Sequence, residues 1–130
     1  MFTAKTSKTH PLRIQSVTPP GASGRIGMTF CPGKTQPDAM TGPWDRDLNL
    51  DLRAIVEWGG QVLVSLIEDH EFDMLGVEAL PEYSKRHRID WVHLPIQDGG
   101  IPTERFEAQW DTESVELRRR VLAGDSSVLH

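Results

Sequence analysis

The chain has 130 residues, 38% of them hydrophobic and 25% charged, with a formal net charge of −5 at pH 7. This length fits one domain that can bury a sizeable core. The negative charge argues against nucleic acid as a partner, and no apolar stretch approaches the length of a membrane span. The single cysteine, Cys31, excludes an internal disulfide. Because no apolar segment follows the first lysines, as a secretory signal would require, we expect a cytoplasmic protein.

The N-terminal part differs in composition from the rest of the chain. Residues 1–24 are polar and rich in proline and glycine, so we expect a loosely ordered segment there, with one short strand over 12–17. Residues 25–30 alternate polar and apolar side chains, which predicts a half-buried strand. We therefore divide the chain into this segment and one domain over 25–130.

A Gly-Lys-Thr sequence at 33–35 invites comparison with a nucleotide-binding P-loop. That loop needs four residues between its glycines, whereas five separate Gly27 from Gly33, and Pro32 removes a backbone donor. A turn is therefore the favoured interpretation. Cys31 has no accompanying base or glycine loop, and a packing role is favoured over a nucleophilic one.

The next region predicts a helix followed by a buried strand. Asp47 can cap a helix with apolar residues at 48, 52, 55 and 56, and Gly59 can end it. Residues 61–67 are nearly all apolar, as in a strand covered on both faces. The acidic turn at 68–71 includes His70, but it has no recognisable metal-ligand spacing. A helix start is therefore favoured over a metal site.

The second half of the chain predicts two more strands between helices. Residues 70–88 suggest two helical pieces broken near Pro81, and 90–96 suggest a strand that leads into a glycine-rich loop at 97–102. Thr103 can cap a helical region that Gly124 ends, and residues 111–112 are expected to divide it into two helices. A last strand is expected over 125–130. Alternating strands and helices predict an α/β fold with a mostly parallel sheet and right-handed crossovers.

Asp98 is the carboxylate at the junction of the 90–96 strand and its loop. In an open α/β sheet, reactive groups usually lie at this edge. On local evidence alone, a simple turn made by Asp98 and Gly99 is the favoured interpretation.

Three stretches together resemble the cyclin-dependent-kinase-associated phosphatases, in the dual-specificity branch of the protein tyrosine phosphatases. They are residues 24–34, residues 62–68, and 93–102, where Pro-Ile-Gln-Asp-Gly-Gly-Ile-Pro is the most specific part. Residues 128–130 match the strand that leads into the family signature, His-Cys followed by five residues and Arg. The resemblance covers residues 24–130 and implies the three-layer fold of that family, with helices on both faces of the sheet.

The resemblance implies phosphate monoester hydrolysis through a cysteinyl-phosphate, without metal or cofactor. By similarity, Asp98 is the general acid that protonates the leaving group and then the base that activates water. His130 is the first residue of the signature and supports the nucleophile. The implied substrate is a phosphorylated protein or a small phosphoester, and the sequence leaves the substrate-binding residues and the oligomeric state open.

The sequence departs from the family pattern at its last residue, since it ends on His130 without the cysteine and arginine. We therefore expect a phosphatase-like domain truncated at the C-terminus and inactive alone. We also expect one face of its sheet to be partly uncovered, which would lead to marginal stability or to self-association through that face. The alternative is a non-catalytic phosphatase-like module that binds a protein or phosphoprotein.

Overall fold

The computed structural model describes residues 3–96 and 103–130. Seven strands and four helices are found in this part of the chain. In order, they are β1 (Gln15–Val17), β2 (Ile26–Met28), β3 (Thr35–Gln36), β4 (Trp44–Asp45), α1 (Leu48–Trp58), β5 (Gly60–Ser65), α2 (Asp69–Met74), α3 (Leu80–Arg86), β6 (Asp90–His93), α4 (Glu104–Ala123) and β7 (Ser126–Leu129). None of these helices is both long enough and apolar enough to span a lipid bilayer.

The centre of the fold is a five-stranded sheet in the order β1-β2-β7-β5-β6. Strands β2, β7, β5 and β6 are parallel, and only β1 is antiparallel to its neighbour. The predicted mostly parallel sheet is therefore present. Strands β3 and β4 form a separate antiparallel pair.

The two faces of the sheet carry different cores because successive side chains of β5 point to opposite sides. Leu63 joins a buried cluster with residues of α1 and α3, whereas Val62 and Val64 pack with Phe106 and Leu117 of α4. Helices on both faces of a parallel sheet give the three-layer arrangement expected from the sequence. They also explain why β5 reads as a nearly continuous apolar run.

The caps predicted for α1 are confirmed. The side chain of Asp47 accepts a hydrogen bond from the backbone N–H of Leu50, and Gly59 ends the helix with a φ of 105°. A positive φ of this kind favours glycine. The two helical pieces predicted within 70–88 are also present as α2 and α3, with Pro81 in the first turn of α3.

The predicted break of the last helical region at residues 111–112 is wrong. α4 is one helix of 20 residues, capped by Thr103 and ended by Gly124. Asp111 and Thr112 are both exposed. These two polar residues lie on the solvent-exposed face of the helix. On the opposite face, Phe106 and Leu117 pack against the sheet on either side of them in sequence, so the helix continues.

The N-terminal segment makes more specific contacts than its composition suggests. Gln15–Val17 pairs with β2 at the edge of the sheet. Ser7 is buried, and its hydroxyl donates a hydrogen bond to the carboxylate of Asp51 in α1 over 2.8 Å. These contacts tie the segment to the domain, and the predicted division at residue 24 remains a prediction.

A groove of about 570 Å³ lies beside α4, over the sheet. Its walls include Val64 and Leu129 of the sheet, together with Trp110, Val115 and Leu122 of α4, which are 44%, 69% and 46% exposed. Residues 3–96 and 103–130 therefore cover this side of the sheet incompletely.

Candidate active site

The ends of the parallel strands bring several polar side chains to one edge of the sheet. Ser65 ends β5, His93 ends β6, and His130 follows directly after β7. Strands β5 and β6 pair in parallel with Ser65 opposite His93. We call this the carboxyl edge, and it is the place where α/β sheets carry ligand and catalytic groups.

His130 is held at the carboxyl edge by its backbone and its side chain. Its N–H donates to the carbonyl of Val64 over 3.1 Å, and its own carbonyl accepts from the N–H of Leu66 over 2.9 Å. Its imidazole Nε2 lies 2.6 Å from the hydroxyl of Ser65. The indole N–H of Trp91 donates to the same hydroxyl oxygen over 2.8 Å.

The environment of the His130 imidazole keeps it uncharged. Burial, and to a smaller extent the nearby charge of His93, lower the pKa of His130 from its usual 6.5 to about 4. Burial disfavours the charged form of histidine because a low-dielectric surrounding solvates the cation poorly. His130 is therefore neutral at physiological pH, and it acts as a hydrogen-bonding group rather than as a cation.

Asp98, the predicted general acid, lies outside the described residues, which stop at Ile96 and resume at Thr103. The described end of its strand is at the carboxyl edge. The N–H of Leu94 donates to the backbone carbonyl of Ser65 over 2.9 Å, and the N–H of Ile96 donates to the backbone carbonyl of Leu66 over 2.8 Å. Leu66 is thus hydrogen-bonded through its backbone to both Ile96 and His130.

His93 belongs to the carboxyl edge, although the sequence had suggested no role for it. Its Nε2 lies 2.7 Å from the carbonyl of Ile67, which can only accept a hydrogen bond, so Nε2 carries a proton. Its Nδ1 lies 3.7 Å from a carboxylate oxygen of Asp69. The ring stacks on Trp91 and meets Phe72 edge-on. The strand was predicted to continue to residue 96, whereas β6 ends at His93, so the sequence did not mark this histidine as a strand-end residue.

The acidic turn beside this edge brings Glu68, His70 and Glu71 together. One ligand atom from each lies within 4.8 Å of the others. The backbone N–H of Glu68 donates to the carboxylate of Glu71 over 3.0 Å, at the start of α2. This contact accounts for the cluster as a helix-capping arrangement, in line with the helix start predicted from the sequence.

The Gly-Lys-Thr turn is not built to hold a phosphate. The N–H of Gly33 donates to the carboxylate of Asp51 over 2.9 Å, and Lys34 Nζ lies 5.2 Å from the ring centre of Trp44. A backbone donor already bound to a buried carboxylate is not available to a nucleotide. The favoured interpretation as a turn is confirmed.

Cys31 is a packing residue, as the sequence indicated. It is buried within the core on the α1 side of the sheet. Burial raises the pKa of its thiol from 9.0 to about 12, and the positive charge of Lys34 only partly opposes this rise. Since the thiolate is the reactive form, this cysteine has no nucleophilic character at neutral pH.

In comparison with known proteins, no protein-family model matches the chain and no curated protein matches it, but it is similar to solved structures. A solved structure of a kinase associated phosphatase, in which the catalytic site cysteine is replaced by serine, superposes with a TM-score of 0.76 at 21% identity. The match covers 92% of this chain and 64% of that chain, so this chain spans less than two thirds of its length.

The likeness defines the class of fold. The described residues have the α/β fold of the front part of a protein tyrosine phosphatase domain of the dual-specificity type, with a mostly parallel sheet between layers of helices. The predicted fold class is confirmed. So is the predicted likeness to the kinase-associated phosphatases, at the level of the fold.

Proposed function

We propose that these residues belong to a dual-specificity protein phosphatase domain that hydrolyses phosphate monoesters, with Asp98 as its general acid and base. The supporting observation is the backbone connection through Leu66, which is bonded on one side to His130 and on the other to Ile96. A nucleophile that follows His130 and an acid two residues beyond Ile96 would start from β7 and β6, the two strands that flank β5, at one edge of the sheet.

The proposed chemistry is the one that similarity to the phosphatase family implies. In the similar family, a cysteine after the signature histidine attacks phosphorus as a thiolate, and the bond between phosphorus and the leaving oxygen breaks. The carboxyl group of Asp98 supplies the proton to that oxygen. Its carboxylate then takes a proton from the water that attacks the cysteinyl-phosphate, which releases phosphate and regenerates the thiolate. On this proposal the 130-residue chain alone has no turnover, since His130 is its last residue.

We propose a phosphorylated protein or a small phosphoester as the substrate and the cytoplasm as the location. The chain has a net charge of −5, which disfavours binding to the polyanionic surface of nucleic acid or of an acidic membrane. The mechanism needs no metal or cofactor, because the thiolate and one carboxyl group supply the nucleophile and the proton.

The decisive experiment compares two proteins from the natural gene, the 130-residue chain and the product of the complete open reading frame. With a generic aryl phosphate, the shorter chain should be inactive. The longer product should be active if Cys-x5-Arg follows codon 130. Asp98→Asn in the longer product should lower kcat by roughly 10²–10⁴-fold for a poor leaving group, the range typical of general acid catalysis.

The control and the opposing results are equally specific. Asp111→Asn, an exposed carboxylate on α4, should leave kcat unchanged. The effect of Asp98→Asn should shrink as the leaving group becomes more acidic, because such a group needs no proton. Turnover by the 130-residue chain that is abolished in Cys31→Ser would overturn the proposal. A genuine stop after codon 130 would favour the non-catalytic binding module.

A further inference from the structure

We infer that Ser65 and Trp91 are positioning residues that hold the His130 imidazole in one orientation, with its proton on Nδ1. The effect of these residues on catalysis rests on the proposed function, whereas the assignment of the His130 tautomer does not depend on it. Three groups form a chain at the carboxyl edge: the indole N–H of Trp91, the hydroxyl of Ser65, and Nε2 of His130. The two links measure 2.8 Å and 2.6 Å.

The direction of the chain follows from what each group can do. An indole nitrogen only donates, so Trp91 donates to the Ser65 oxygen. The hydroxyl proton of Ser65 then has one acceptor among its described neighbours, which is His130 Nε2. A hydroxyl that donates to Nε2 requires an unprotonated Nε2, and the proton of the neutral ring must therefore be on Nδ1.

The opposite tautomer, with the proton of His130 on Nε2, would leave more buried groups without hydrogen-bond partners. If Nε2 carried the proton and donated to Ser65, the hydroxyl would accept twice and its own proton would lack an acceptor among the described residues. Nδ1 of His130 would then also be a buried, unused acceptor. Two unsatisfied buried groups cost more than one, because each loses its hydrogen bonds to water on burial.

Burial makes this chain of hydrogen bonds rigid. Ser65 is fully buried, and Trp91 stacks on His93, with ring centres 5.4 Å apart, while Phe72 meets its edge. These aromatic contacts fix the orientation of the indole independently of its hydrogen bond to Ser65. A donor fixed in this way orients Ser65, and Ser65 in turn orients the ring of His130.

The consequence lies at Nδ1 of His130. This nitrogen is buried and has no hydrogen-bond partner among residues 3–96 and 103–130. As a protonated donor it needs an acceptor, since an unmade buried hydrogen bond is costly. In the proposed active site, Nδ1–H is the group through which Ser65 and Trp91 influence the reaction, so neither of them needs to touch substrate.

The test is a nitrogen NMR measurement on the 130-residue chain, at a pH where His130 is neutral. Long-range proton–nitrogen correlations distinguish the two tautomers directly. We expect His130 to show a pyrrole-type Nδ1 and a pyridine-type Nε2. Ser65→Ala should move the population toward the Nε2–H form, which the neutral histidine side chain prefers in water. Ser65→Thr, which keeps the hydroxyl, should restore the original tautomer.

Two further variants separate positioning from a general loss of packing. Trp91→Phe keeps an aromatic ring but removes the donor, and it should give an intermediate mixture of tautomers. Ser84→Ala is the matched control, because Ser84 is also fully buried but its hydroxyl has no partner among the described residues; it should leave His130 unchanged. A proton on Nε2 in the natural chain would overturn the inference, as would an unaltered tautomer in both Ser65→Ala and Trp91→Phe. None of these NMR results depends on turnover. The tautomer inference and the phosphatase proposal can therefore be refuted independently of each other.

Discussion

Replacing Arg46 by methionine should destabilise the domain strongly, because it breaks a buried ion pair. The guanidinium of Arg46 binds the carboxylate of Asp51 through Nε at 2.8 Å and Nη2 at 3.0 Å. The two side chains are only 2% and 1% exposed. Ser7 and the N–H of Gly33 donate to the same carboxylate. This network joins the N-terminal segment, the turn after Cys31 and the first turn of α1.

The size of the effect follows from what Arg46→Met leaves behind. Removing one partner of a buried pair costs about 3–5 kcal/mol, because the other charge stays buried without compensation. Ser7 and Gly33 still donate to Asp51, so we expect the lower end, about 3 kcal/mol. With a urea m-value of about 2 kcal/mol/M, the unfolding midpoint should fall by roughly 1.5 M.

Equilibrium urea unfolding of three variants tests this reasoning. Arg119→Met is the matched control, since Arg119 forms an exposed pair with Glu116 and should leave the midpoint unchanged. The double variant Arg46→Met/Asp51→Leu should recover only part of the loss, because it removes the isolated charge but leaves the buried N–H of Gly33 without its acceptor. If Arg46→Met shifts the midpoint no further than Arg119→Met does, the ion pair does not contribute as its geometry implies.

Three further predictions concern titration, reactivity and association. The pKa of His130 is lowered to about 4, so the unfolding free energy should decrease as pH falls from 6.5 to about 4, and His130→Gln should weaken this dependence. With its pKa raised to about 12, the Cys31 thiol should resist a disulfide reagent at pH 8 until urea unfolds the chain; rapid native labelling would refute this. The exposed Val115 and Leu122 should promote self-association in analytical ultracentrifugation, and Val115→Lys/Leu122→Lys should reduce it; a monomer at all concentrations would contradict this expectation.

Local signals were sufficient to predict most of the element order. Asp47 and Gly59 fix the ends of α1 because a side-chain acceptor satisfies its first N–H groups and a left-handed glycine satisfies its last carbonyls. The apolar run that became β5 predicted a strand buried on both faces. The parallel direction of most strands then followed from the alternation of strands with helices. These inferences need only neighbours close in sequence.

Contacts between distant residues were not predictable from such signals. Ser7 and Asp51 are 44 positions apart. The composition of residues 1–24 did not predict that one of them would be buried against α1. The error in α4 has a related cause. Residues 111–112 carry polar side chains that resemble a helix end, whereas the packing of Leu117 and Phe106 against the sheet keeps the helix continuous.

The site was predictable only in part, and Ser65 shows why. The carboxyl edge could be inferred, since parallel strands that end together present their last residues to the same place. Ser65 stands at the end of an apolar strand that was expected to be buried on both faces, and a buried hydroxyl must find hydrogen-bond partners. The sequence therefore implied that Ser65 had partners, but only the fold could identify Trp91 and His130, which are 26 and 65 positions away. A polar residue within a predicted buried strand is thus a useful sign of an active-site edge, because the partners it requires come from neighbouring strand ends.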